Sequence, residues 1–239
     1  EVLFMFPCTP LVVALTEKII PGEDQKVHHN ELQYITEISL KSPATMIPQA
    51  KNELKRMADM AQENLDRSIK GFLNQSDEYL NKIYHREEDI NNVSHAITDY
   101  LVKSNQLSLP LADQKILGSM FYVVNDIERI GDHAENFADY TKTELKHNTG
   151  LTVDAKEEIK KMYEAVSKLL KLSLESFMAQ DGVNTQEDKL AEIAALEASI
   201  DKMERRYQKH HIKRLAKGDC EPRAGLLFSD MLSELERIA

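Results

Sequence analysis

The chain repeats itself, and that repetition limits its fold more than any other feature. Residues 49–76 align without a gap on residues 154–181. Ala50, Lys51, Glu53, Lys55, Met57, Leu65, Ser68, Phe72 and Gln75 recur as Ala155, Lys156, Glu158, Lys160, Met162, Leu170, Ser173, Phe177 and Gln180. A second stretch recurs 110 residues on, where Glu87, Ile90 and Lys103 meet Glu197, Ile200 and Lys213. A third recurs 108 residues on, with Val123–Ile130 lying against Met231–Ile238. The changes of offset fall between the matched stretches, where loops tolerate insertion. A fold for this chain is therefore built twice from one unit.

The unit is helical. Leu54, Met57, Ala58, Ala61, Leu65, Ile69, Phe72 and Leu73 recur at three- and four-residue steps, the spacing of one helix face. A second helix is expected from Asp77 to Lys103, with Ile83, Ile90, Val93, Ile97 and Leu101 on its inner face. Pro110 opens a third, which fades near Lys146 before the break His147-Asn148-Thr149-Gly150. A helix of about 28 residues is roughly 42 Å long. Three of them joined by short loops pack as an antiparallel bundle. The expected fold class is all-α: two repeated three-helix bundles at 49–147 and 151–239, preceded by an apolar segment at 1–20 and a connector at 21–48. Scarce Gly (8) and Pro (7) and the absence of Trp fit long helices.

The third helix carries the chemistry. Read at 100° per residue, Ile127, Ile130, Ala134 and Phe137 lie on one side, in line with Met120 and Val123. Glu128, Asp132, Glu135 and Asp139 form a stripe on the other, at i, i+4, i+7 and i+11. Each like-charged i, i+4 pair costs an isolated helix about 0.2–0.5 kcal/mol. Such a row is tolerated where water screens it, as a solvated acidic face, or where cations sit on it. Carboxylate oxygens facing one way are what a hard or borderline metal ion needs.

Composition narrows the functions. With 40 acidic and 30 basic residues the formal charge is −10, which disfavours nucleic acid as a partner. Cys8 and Cys220 form no C-x-x-C motif. No Gly-rich phosphate loop, G-x-S-x-G or H-E-x-x-H occurs, and nothing argues for catalysis. The adjacent pairs His28-His29 and His210-His211 read as surface residues, since helix neighbours point about 100° apart. His133 reads as a hydrogen-bonded structural residue, and Arg129 and Arg237 as salt-bridge partners of a neighbouring helix.

Residues 2–20 run Val-Leu-Phe-Met-Phe-Pro-Cys-Thr-Pro-Leu-Val-Val-Ala-Leu-Thr-Glu-Lys-Ile-Ile. As it stands the run is too short to span a bilayer, which takes about 20 apolar residues, and it lacks the features of a signal peptide. It is either the end of a membrane helix or an apolar strap on the domain.

Glu128-Arg129-Ile130-Gly131-Asp132-His133-Ala134-Glu135-Asn136 resembles the signature of PhoU-like proteins, which regulate phosphate uptake. That family is built from two three-helix repeats, each with a Glu/Asp-x-x-x-Asp motif on its third helix. The resemblance spans about residues 45–239. It implies metal binding, iron or zinc, by Glu128 and Asp132 with Asp126 beside them, and by Glu234 and Glu236 in the second repeat. Ala239 stands where Gly131 stands in the first repeat, so the second motif is expected to be truncated before its aspartate. The apolar start followed by such a domain resembles bacterial sodium/phosphate cotransporters. This second resemblance implies a cytoplasmic regulatory domain at the inner membrane, partnered by the membrane-embedded portion of the same longer chain and open to homo-oligomerisation. Two alternatives stand beside it: a free-standing PhoU-type regulator that docks on a kinase or transporter, and a carboxylate-bridged di-metal enzyme. The enzyme would need Glu-x-x-His pairs inside the bundle, and no such pair lies in the stripe.

Overall fold

The computed structural model describes residues 32–36, 43–147, 150–179 and 183–239. The apolar segment 1–20 and residues 21–31 and 37–42 of the expected connector lie outside them. Among the described residues the regular structure is all helical. The first bundle comprises α1 (Pro43–Asn74), α2 (Leu80–Asn105) and α3 (Leu111–His147). The second comprises α4 (Val153–Met178), α5 (Val183–Lys217) and α6 (Pro222–Ile238). Within each bundle every helix packs on the other two; between bundles α1 meets α4 and α3 meets α6.

The helix ends follow local chemistry. Thr152 caps α4 by accepting a hydrogen bond from the Ala155 amide at 3.2 Å. Pro222 opens α6, where its missing N–H costs nothing. Gly218, at φ +76°, ends α5 with Asp219 N–H donating to the Arg214 carbonyl. At the end of α1 the same left-handed position is held by Gln75, at φ 52°. Its side-chain amide donates to buried Glu144 at 3.0 Å, which offsets the strain of a non-glycine residue there.

The first helix starts at Pro43, earlier than the 49 expected from periodicity. Pro48 lies inside it and deprives the helix of one hydrogen bond. Met46 and Ala50, both fully buried, draw that first stretch onto the bundle. Burying a Met side chain stabilises by about 1.5–3 kcal/mol, enough to offset a proline near a helix start. The Leu32–Thr36 stretch is also seated. Ile35 is buried, and the fully buried Glu53 carboxylate accepts the Gln33 and Tyr34 backbone N–H groups at 2.9 and 2.7 Å. Arg56 completes that carboxylate with an ion pair at 2.5 Å.

The two halves exchange material at their joint, as expected for a duplicated unit. Phe72, at the end of α1, is buried in the second core beside Ile159, Met162 and Phe228. Its counterpart Phe177, at the end of α4, is partly buried and packs on the first core. Lys51 donates to the Phe177 carbonyl at 2.9 Å, and its counterpart Lys156 donates to the Leu73 carbonyl at 3.4 Å. Reciprocal contacts of this kind relate the repeats by an approximate two-fold rotation.

Candidate functional site

The acidic stripe lies on the open side of α3, opposite its apolar face. Asp132 and Asp139 are exposed, and Glu128 and Glu135 half-buried. Ile127, Ala134 and Phe137 are buried as expected, while Ile130 is only half-buried, at the border between the two cores. Asp126 is exposed but on another flank, about 200° of helix rotation from Glu128.

The stripe is completed by a residue that periodicity did not single out as functional. Glu87 belongs to the inner face of α2, one turn after Ile83 and just before Ile90, and is only 3% exposed. Its carboxylate lies against the bare backbone of Gly131, where a side-chain carbon would collide with Glu87 Oε2. Neither oxygen has a well-formed hydrogen bond; Asn91, one turn on, gives some relief. Burial and the charges of Asp132, Glu135 and Glu128 push its carboxyl up to about 8. Burial, with Asp139 and Asp132, also raises Glu135. Among the described residues no Lys or Arg forms an ion pair with Glu87, Glu128, Asp132 or Glu135. A buried carboxylate that faces three others and has no cationic partner is costly.

Two assigned residues are otherwise engaged. Asp139 accepts a hydrogen bond from Tyr84 Oη at 2.7 Å, and burial with that bond pushes the phenol up to about 12. Glu234 is buried and accepts from His133 Nδ1 and from Asn136 Nδ2, the latter at 3.3 Å. It does not stand free beside Glu236, which is exposed. The second repeat therefore does not reproduce the carboxylate cluster of the first. His133 has the structural role expected of it. Arg237 turns to Glu234 of its own helix at 3.7 Å, rather than to a neighbouring one. His211 departs from its surface reading: it is buried on Phe228 and on the backbone of Gly225, and burial with nearby Arg214 lowers its pKa. His210 pairs with Glu158 at 2.6 Å, so the two adjacent rings face different partners.

Glu87, Glu128, Asp132 and Glu135 fit a cation by charge, by oxygen chemistry and, among the described residues, by the lack of a cationic partner for Glu87. Among the described residues no three His, Cys, Asp or Glu side chains yet converge on one point. Coordination would draw in exposed Asp132, whose rotamer is free to turn, and half-buried Glu128 beside it.

A profile of the PhoU domain matches residues 54–141 and 159–239, one match in each bundle. The chain belongs to the PhoU family. Its fold is similar to that of PhoU from Pseudomonas aeruginosa, with a TM-score of 0.72 at 18% identity over 82% of this chain and 91% of that one. It is likewise similar to the phosphate transport system regulatory protein PhoU from Streptococcus pneumoniae, with a TM-score of 0.71 at 19% identity over 82% and 89% of the two chains. At these identities the likeness establishes the PhoU fold. No curated protein sequence matches the chain. Among the described residues no helix is long and apolar enough to cross a membrane.

Proposed function

We propose that this PhoU chain is a non-catalytic regulator of phosphate signalling whose first repeat carries a cation-dependent control site. Membership of the PhoU family and the likeness to a phosphate transport system regulatory protein support the regulatory role. One observation carries the cation: the buried carboxylate of Glu87, with no well-formed hydrogen bond and no ion-pair partner among the described residues, faces Glu128, Asp132 and Glu135 across the α2–α3 seam. A divalent or trivalent ion, iron, zinc or manganese, supplies the positive charge that this cluster lacks. Glu128 and Asp132 of α3 and Glu87 of α2 would hold it, and Gly131 leaves the space for Glu87. Asp139, bonded to Tyr84, lies at the end of the stripe, and Asp126 lies on another flank of α3. Of the two carboxylates assigned in the second repeat, Glu236 is exposed and Glu234 is taken by His133.

The matched structures are PhoU proteins, which favours a regulator that docks on a separate kinase or transporter. The sodium/phosphate-cotransporter reading rests on the apolar run Val2–Leu15, and would place this domain on the cytoplasmic side of the inner membrane. Fractionating native cells separates the two: recovery with the membrane after a high-salt wash supports the cotransporter, and recovery in the soluble fraction supports the regulator.

The control site is tested by thermal unfolding. A ligand bound by the folded state alone raises stability by about 2.7 kcal/mol at 100 times Kd. Mn²⁺, Zn²⁺ or Fe²⁺ is therefore expected to raise Tm, and Glu128→Gln with Asp132→Asn to remove most of the rise. No response to any of the three ions would overturn the site.

A further inference from the structure

One buried polar contact joins the repeats beside the acidic face. His133 is the residue after Asp132, but it points the other way, from α3 of the first repeat to Glu234 on α6 of the second. His133 is 8% and Glu234 9% exposed. Asn136 adds a second donor to the same carboxylate, and Arg237 stands at 3.7 Å on its outer side. A carboxylate so enclosed and so bonded is held in one geometry, because removing its donors would leave a buried acceptor unsatisfied.

The contact acts on the cation site through the rigidity of α3. A helix with its side chains has a radius of about 5–6 Å, so turning it by about 20° moves a side-chain tip by roughly 2 Å. That is enough to break a hydrogen bond, and equally enough to detach a carboxylate from an ion. Asp132 and His133 are successive residues of one rod and cannot turn independently. We propose that the His133–Glu234 hydrogen bond is a positioning contact: it fixes the rotation of α3 and so sets Asp132 and Glu128 against Glu87, making cation binding in the first repeat depend on how the second repeat is seated. Glu234 is thus a strut between the repeats and not a ligand of its own motif. The proposal rests on the reading of the first repeat as a cation site. By linkage the coupling is reciprocal: an ion bound in the first repeat steadies α6, and a partner that shifts α6 changes the affinity for the ion.

The test is Mn²⁺ titration by calorimetry on the full chain carrying Glu236→Gln, so that α6 offers no exposed carboxylate of its motif. Against that parent, adding Glu234→Ala is expected to weaken Mn²⁺ binding by about fivefold or more, at unchanged stoichiometry. Adding Glu234→Gln, whose amide oxygen still accepts from His133, is expected to hold the affinity near that of the parent. Unchanged affinity in the Ala variant would overturn the strut while leaving the cation site standing. A loss of stoichiometry in both variants would make Glu234 a ligand and overturn it too. A parent that takes up no Mn²⁺ would remove the site itself, and the strut with it. Hydrogen exchange of the parent needs no substitution at Glu234 and covers the case in which the Ala variant does not fold. Mn²⁺ is expected to slow exchange of the α6 amides, and unchanged exchange there would overturn the coupling.

Discussion

Glu87 shows how a single residue can be clear in sequence and still hide its role. It sits at an inner-face position of α2, in register with Ile83 and Ile90, so the pattern presents it as a charge where an apolar residue belongs. That anomaly was the available signal. What gives it meaning is tertiary: α3 passes close enough at Gly131 for the carboxylate to rest on its backbone. Two outcomes follow. The Glu87 carboxyl, ordinarily near 4.5, is raised to about 8 in the fold. The folded state therefore holds a proton that the unfolded state gives up, and stability falls as pH rises from about 5 through about 8. In metal-free protein, Glu87→Gln is expected to be near neutral at pH 5 and stabilising at pH 8.5, on the order of a few kcal/mol, read from urea melts at the two pH values. Gly131→Ala should separate stability from binding. The added methyl favours the helix by about 1 kcal/mol but displaces the Glu87 carboxylate, so metal-free stability is expected to hold or rise while Mn²⁺ affinity falls about tenfold. Equal loss of both would mean that the seam cannot adjust.

At the scale of elements, the third helix was legible to within a residue or two, and the others in type and order. Their apolar faces run for many turns, and Leu54, Met57, Leu65, Ile69 and Phe72 are all buried as the spacing requires. Less legible were places where packing overrides a local rule. Residues up to 48 read as a connector, yet the helix runs back through Pro48 to Pro43 because Met46 has a core to enter. Glu53 and Glu158 match in sequence but are satisfied differently. The first accepts backbone amides from Gln33 and Tyr34, and the second pairs with His210 and with Arg214 at 2.9 Å. Duplicated positions thus diverged in partner while keeping their place on the helix. The caps give a modest check: Thr152→Ala removes the acceptor for the Ala155 amide and is expected to cost about 1 kcal/mol in chemical denaturation.

At the scale of the molecule, the duplication is clear in sequence but the sharing of its cores is not. Leu65, Ile69 and Phe72 of α1, with Ala134 and Phe137 of α3, belong to the core of the second bundle. The repeats are therefore not independent folding units, and the chain Leu32–Ala239 forms one compact unit. Phe72→Ala is expected to cost about 3–5 kcal/mol and to lower the stability of both bundles together, as one transition by circular dichroism. A fragment of residues 151–239 is expected not to fold alone, since α4–α6 would expose the surface that α1 and α3 now cover. The acidic face lies on the first repeat, with the His133–Glu234 contact at the junction of the two, where changes in either repeat reach it.

The central claim is that α2 and α3 together hold one cation. It is tested most directly by anomalous diffraction from crystals grown with Mn²⁺. The expected result is a peak in the α2–α3 seam beside Gly131, bonded to carboxylate oxygens of Glu87 from one helix and of Glu128 and Asp132 from the other. A peak held by α3 alone, or no peak in the seam, would contradict it.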